Sequence, residues 1–274
     1  MRPQRAEIAI PPLPANLDWV GTGGPARIET LVAARPVLVH FFDFAQLNSV
    51  RTLPYLSAWS DRYRDEGLAV LGVHTPRFPF TAHRDAVVTA VARLEIPYPV
   101  AVDSGSRVWR AYGCEGWPSL FLWGRGGALS WFHFGEGEYR ATEEAIQQLI
   151  VEARPGARLP DPLPPLRASD APGALVVPPS EEVFPGGSAE RPWKARFGSP
   201  PIELEYTAGG AFAAADGEGA LELELDGGAC APIAVHGPGL YELVRHDRHE
   251  QHRIALRPSS GVRVWSLSYA AGVP

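Results

Sequence analysis

The chain has 274 residues and a formal net charge of −6. It is long enough for one large domain or two of ordinary size, and its charge argues against nucleic acid or an anionic membrane surface as the main partner. Two cysteines, Cys114 and Cys230, make neither a disulfide framework nor a zinc site. No window approaches the ~18 apolar residues of a membrane-spanning helix, and the first residues lack the apolar core of a secretory signal. The expectation is a soluble, cytoplasmic chain.

Residues 1–16 are Pro-rich and should lie extended over the surface. Asn16 to Val20 predicts a short edge strand, Gly21 to Pro25 a turn, and Ala26 to Ala34 a short helix with Ile28, Leu31 and Val32 inward. Val37 to Phe42 is a β-branched and aromatic run of the kind found in strands buried on both faces. From Val50 the spacing predicts a helix with Leu53, Leu56, Trp59 and Tyr63 on one face and a kink at Pro54. A buried strand opening into a helix places Ala45 to Ser49 at a helix N-terminus, where free N–H groups and the helix dipole favour an anion. Leu68 to His74 predicts a second parallel strand, Thr75 to Thr81 a loop, and Asp85 to Leu94 an amphipathic helix. Tyr98 to Val102 then reads as a strand and Ser106 to Tyr112 as a short helix. These crossovers imply parallel strands with right-handed connections. Ser119 to Trp123, the glycine turn 124–127 and Ala128 to Phe134 predict a hairpin, and Ala141 to Ala153 a closing helix.

Residues 154–179, dense in Pro, Arg and Ala, read as a linker. From residue 180 the texture is all-β. Ile202 to Tyr206 and Leu221 to Leu225 alternate apolar with acidic residues, and Asp226-Gly-Gly signals a turn. Short strands are predicted at Ile233–Val235, Gly239–Arg245, His252–Arg257 and Val262–Tyr269, with His246 to Gln251 as a solvated hairpin loop. Evenly spaced short strands imply a sandwich or jelly roll.

Arg51-Thr-Leu-Pro-Tyr-Leu-Ser-Ala-Trp59 and Asp61-Arg-Tyr-Arg-Asp-Glu-Gly-Leu-Ala-Val-Leu-Gly-Val-His-Thr-Pro76 resemble the TlpA-like, redoxin branch of the thioredoxin superfamily. The closest likeness is to the soluble thioredoxin-plus-sandwich part of DipZ-type proteins. The ending, Gly239 to Arg245 and Arg263 to Tyr269, is similar to the C-terminal sandwich of those proteins, which resembles carbohydrate-binding modules. The resemblance implies an α/β thioredoxin-like domain at 17–153, with a central mixed sheet flanked by helices. A Pro-rich linker at 154–179 and an all-β jelly-roll or sandwich domain at 180–274 would follow. It also implies a cis-proline at Trp117-Pro118, where an extended peptide can pair beside the helix turn. In the family this turn carries a Cys-x-x-Cys pair; here the corresponding positions are Gln46, Leu47, Asn48 and Ser49.

Dithiol exchange needs an attacking thiolate and a second thiol to resolve the mixed disulfide. A glutamine amide is not a nucleophile, and a serine hydroxyl stays protonated at neutral pH without a dedicated base. Turnover by the family mechanism is therefore not expected. The candidate groove is formed by Phe44, the degenerate turn 46–49, Trp117 and Pro118, and serves either as a protein- or peptide-binding cleft or as a structural remnant. One alternative is an enzyme using Cys114 as a lone redox thiol, which requires an exposed, low-pKa thiolate. Another is carbohydrate binding on a platform drawn from Trp193, Phe197, Tyr241, Trp265 and Tyr269. His246, His249 and His252 raise a metal, but alternation sends His249 to the opposite face. No cofactor is expected, since no phosphate loop, local triad signature or paired-carboxylate motif stands out. His133 with Gly135-Glu-Gly-Glu138 reads only as a turn after a strand.

Overall fold

The computed structural model describes residues 8–21 and 24–274; the first seven residues of the expected extended segment, and residues 22 and 23 of the expected turn, lie outside these. The chain divides into two units. One takes the chain up to Asp43, then Asn48–Pro76 and Ala82–Pro164; the other takes Phe44–Leu47, Arg77–Thr81 and Pro165–Pro274. The expected domains are continuous stretches of sequence, whereas these units interleave.

In the first unit, β1 (Asp18–Val20), α1 (Ile28–Ala34), β2 (Val37–Phe42), α2 (Leu47–Tyr63), β3 (Ala69–His74), α3 (Arg84–Arg93), β4 (Val100–Val102) and α4 (Arg107–Ala111) come first. The hairpin β5 (Ser119–Trp123) and β6 (Leu129–Phe134) and the helix α5 (Tyr139–Ala153) follow. The sheet runs β1-β4-β3-β2-β5-β6. β2 is parallel to β3, and β3 to β4, while β1, β5 and β6 are antiparallel to their neighbours. Parallel crossovers followed by a hairpin and a last helix make this the thioredoxin-like order that the resemblance implies.

Every residue of β2 is buried, which is why its sequence runs apolar rather than alternating. Val37, Val39 and Phe41 pack with Ile28, Val32, Val108 and Phe121 on one face, so alternation turns Leu38, His40 and Phe42 to the other. The expected inward residues of α2 (Leu53, Leu56, Trp59, Tyr63) are all buried. The helix begins at Leu47, three residues earlier than its apolar spacing suggests, and carries Pro54 inside. Tyr55 stacks on Tyr139 of α5 at 3.8 Å. The buried carboxylate of Glu143 accepts the Tyr63 hydroxyl at 2.6 Å and the Leu163 N–H at 2.8 Å, tying the segment beyond α5 back to the core. Gly127, at φ +80°, closes the β5–β6 turn where a Cβ would press on Ile10 and Val32 at 3.3 Å. The extended segment docks at the same turn, Ile10 donating to the Gly127 carbonyl at 3.0 Å.

Besides strands, the second unit carries a short 3₁₀ turn at Ala168–Asp170 and most of another at Pro79–Ala82. Its strands are β7 (Trp193–Lys194), β8 (Ile202–Leu225), β9 (Gly228–Ala229), β10 (Ile233–His236), β11 (Gly239–Pro258) and β12 (Val262–Ala270), with β10-β8-β12-β7 in order and β9 and β11 also paired to β8. Two expectations are corrected here. The two strands expected within 202–225 are one continuous strand of 24 residues. The solvated loop expected at His246 to Gln251 is the middle of β11. Both ends of β8 pair with the same stretch of β11, since Leu256 lies opposite Ile202 and also Leu223. The core is built from Tyr206, Ala211, Ala213, Leu221, Val235, Ile254, Val262, Val264 and Leu267. Asp216, 3% exposed, accepts Arg263 Nε at 2.8 Å and the Trp265 indole N–H at 2.9 Å, so its charge is both paired and hydrogen-bonded. In the same unit Phe44, Phe78, Phe80 and Trp265 form a chain of ring contacts. Arg77 lies over Phe78 and Phe184 and pairs with Glu182.

Candidate functional site

β2 and β5 are antiparallel neighbours, with Phe41 opposite Ser119. The turn after β2 and the peptide before β5 therefore sit at the same end of the sheet, where α/β proteins keep their ligands. The Trp117-Pro118 bond is cis. The first turn of α2 holds Leu47, Asn48 and Ser49. Gln46 and Asn48 are half-buried, while Phe44, Leu47, Ser49 and Pro118 are buried. The Ser49 hydroxyl accepts the Asp43 N–H at 3.3 Å, and the Thr52 hydroxyl donates to the Asn48 carbonyl at 2.8 Å. Trp117 is half-buried. Its indole N–H donates to the Thr75 carbonyl at 2.9 Å, and its ring stacks on Trp109 at 5.3 Å.

Beneath this end lies a set of buried polar side chains that the sequence reading missed: Asp43, His74 and Asp103, at the carboxyl ends of β2, β3 and β4. Asp103 accepts N–H bonds from Arg107 at 2.8 Å and Trp109 at 2.9 Å, and so satisfies the start of α4. Burial holds the His74 imidazole below its ordinary pKa, while Asp43 and Asp103 pull it upward. The available signal was an aspartate closing each apolar run, directly after Phe42 and after Val102. The stretch Gly135 to Glu138 also acquires a role. Glu136 pairs with Arg51 of α2 at 2.7 Å and lies 3.4 Å from the Tyr139 hydroxyl, fastening the loop after β6 to the helix that begins at the turn.

Cys114 is 6% exposed, packed in the core with Phe41 and Phe121. Burial pushes its thiol up to about 12, against the opposing pull of a hydrogen bond with Ser119. The exposed, low-pKa thiolate that the lone-cysteine alternative requires is not found at Cys114. Cys230, in the second unit, is exposed and free.

Of the aromatic residues considered for a sugar platform, Trp265 and Tyr269 are buried, Tyr269 stacking on Tyr206 at 4.7 Å. Trp193 and Tyr241 are half-buried, and Phe197 is exposed. The His246 and His252 rings stack at 3.7 Å. Their outer partners are the Tyr206 hydroxyl, 2.9 Å from His246 Nε2, and Asp226, 2.8 Å from His252 Nδ1. Among the described residues no group of three or more His, Cys, Asp or Glu side chains is placed to hold a metal.

The stacked pair carries a pH prediction. Burial, and then His252, lower the pKa of His246, against the opposing pull of Asp226 and Glu250. Below its ordinary value the unfolded chain binds the proton more readily than the folded one, so stability of the second unit falls as pH drops through about 6.5. Thermal melts at several pH values check this: His246→Phe should flatten that slope, and an unchanged slope would assign it elsewhere.

No protein-family model matches the chain. It is 30% identical to Protein DipZ of Mycobacterium tuberculosis over an alignment of 298 positions, covering 94% of this chain and 42% of DipZ. It thus spans less than half the length of that relative. It is 24% identical to the thiol-disulfide oxidoreductase YkuV of Bacillus subtilis, over 52% of this chain and 95% of YkuV. A solved thiol-disulfide isomerase from Corynebacterium glutamicum matches 51% of this chain and 96% of its own, at 22% identity and a TM-score of 0.45. Among the described residues no helix is long and apolar enough to cross a membrane. The strand order leads to one conclusion: the chain has a thioredoxin-like fold, with an all-β unit besides.

Proposed function

We propose that this chain is a redoxin-type protein with a degenerate active site, one that binds protein or peptide and does not turn over disulfides. Its thioredoxin-like part spans 17–153, followed by a linker at 154–179 and an all-β part at 180–274. The observation that carries this reading is the first turn of α2: Gln46 and Ser49 stand where the resemblance expects the two thiols. An amide and a buried hydroxyl offer no thiolate to attack a disulfide and no thiol to resolve a mixed one. Cys114 does not substitute for them, because its thiol is buried and stays protonated at neutral pH. What the site offers a partner is the backbone of Trp117, just before the cis bond to Pro118, where main-chain pairing gives affinity without sulfur.

An insulin-reduction assay with dithiothreitol tests this. The protein should not accelerate precipitation, and Cys114→Ser should change nothing. Robust acceleration abolished by Cys114→Ser would establish the lone-cysteine enzyme instead. In parallel, a library of extended peptides screened against the full chain should yield binders that Trp117→Ala weakens. Failure to select any binder would reduce the turn to a structural remnant.

A further inference from the structure

At the opposite end of the first unit's sheet from the turn, where β2 and β3 begin, the surface sinks into a cavity of about 520 Å³. It lies near α1, the second half of α2 and the start of β3. Three arginines line it: Arg27 and Arg35, which flank α1, and Arg64, just past α2. No carboxylate is among its lining residues. Arg64 shares an exposed pair with Asp61 at 2.8 Å, an interaction that contributes little in water. Arg27 and Arg35 have no carboxylate within ion-pair reach among the described residues. The chain carries 31 acidic against 25 basic residues, so three guanidiniums around one acid-free cavity run against its overall charge. The floor is apolar, with Leu68 and Val70 buried.

We infer that this cavity binds a small organic anion, a carboxylate or phosphate head carried on a compact apolar body. A guanidinium fork matches both oxyanions in bidentate geometry, and the apolar floor gives the body a place that a bare ion would not use. The volume falls within the range of small-molecule sites. The site stands apart from the turn by the length of β2, on the order of 20 Å for six residues, and does not depend on the function proposed for that end.

Calorimetric titration of the full chain decides the matter, with four probes: phenyl phosphate, benzoate, inorganic phosphate and phenol. Phenyl phosphate or benzoate should bind, whichever head the arginines prefer, and more tightly than phosphate or phenol alone. Binding should weaken in added salt. The paired substitution Arg27→Ala with Arg35→Ala should weaken it by about tenfold or more while leaving the circular dichroism spectrum and Tm unchanged, since both side chains are exposed. Absence of binding by both compound probes at about 5 mM would overturn the inference. So would equal binding by the double variant, or inorganic phosphate binding as tightly as phenyl phosphate.

Discussion

Cysteine introduced at both ends of the turn, Gln46→Cys with Ser49→Cys, is expected to give disulfide reductase activity, and the unaltered chain is expected to show none. The two positions are three residues apart at the start of α2, a spacing that brings side chains onto one face and their Cα atoms within bridging distance. The half-buried position 46 sits at the N-terminus of the helix, whose dipole lowers a thiol's pKa and raises its thiolate fraction. The fully buried position 49 accepts sulfur for oxygen with little change in volume and would supply the resolving thiol. Insulin reduction should rise by about tenfold or more over background, with thiol titration showing one group reacting below the usual ~8.5. If the engineered pair forms its disulfide and insulin is still not reduced, the turn has the geometry but no access for a polypeptide, and the peptide-binding reading fails with it.

The second large effect concerns His40, in the middle of β2. Its side chain is fully buried, stacks on Phe42 at 5.0 Å, and neither ring nitrogen has a hydrogen-bond partner. Burial lowers its pKa from 6.5 to about 3. The folded imidazole therefore stays neutral while the unfolded one protonates below pH 6.5. Stability of the first unit falls with acidification by about 1.4 kcal/mol per pH unit until the folded value is reached. Buried His74, lowered in the same direction, adds to the slope. His40→Leu should remove the larger share of it. At pH 7.5 the same substitution should stabilise the unit by about 1–3 kcal/mol, since two unpaired polar atoms leave the core. Urea unfolding followed by hydrogen exchange on the amides of β2 and β3 measures both effects. A variant as acid-sensitive as its parent would move the slope to His74.

Sequence and structure agree best where one local rule dominates. The apolar runs of β2 and β3 are legible because parallel strands covered on both faces need no polar side. α5 is legible because Ile146, Leu149 and Ile150 recur at helical spacing, and all three are buried. The second unit is harder because its glycines resemble turn signals. Gly217 and Gly219 lie inside β8, and a Cβ at Gly217 would sit 2.0 Å from the Gly261 carbonyl. There glycine marks close approach of two backbones rather than a reversal of one. The stack of His246 on His252 was half visible, since alternation puts both on one face, yet their packing depends on Tyr206 and Asp226, distant in the chain. The same limit hid the link from Arg51 to Glu136, which joins residues 85 positions apart. No periodicity records such a pairing. The assignment of Phe44–Leu47 and Arg77–Thr81 to the second unit likewise has no local signature.

The Trp109–Trp117 stack, with planes only 22° apart, gives the molecule a built-in optical gauge. Two indoles so close couple their near-ultraviolet transitions and quench one another's emission. Anything that lifts Trp117 from the Thr75 carbonyl would brighten the fluorescence and erase a circular dichroism couplet. Events beside Pro118 could then be watched in real time without attaching a dye.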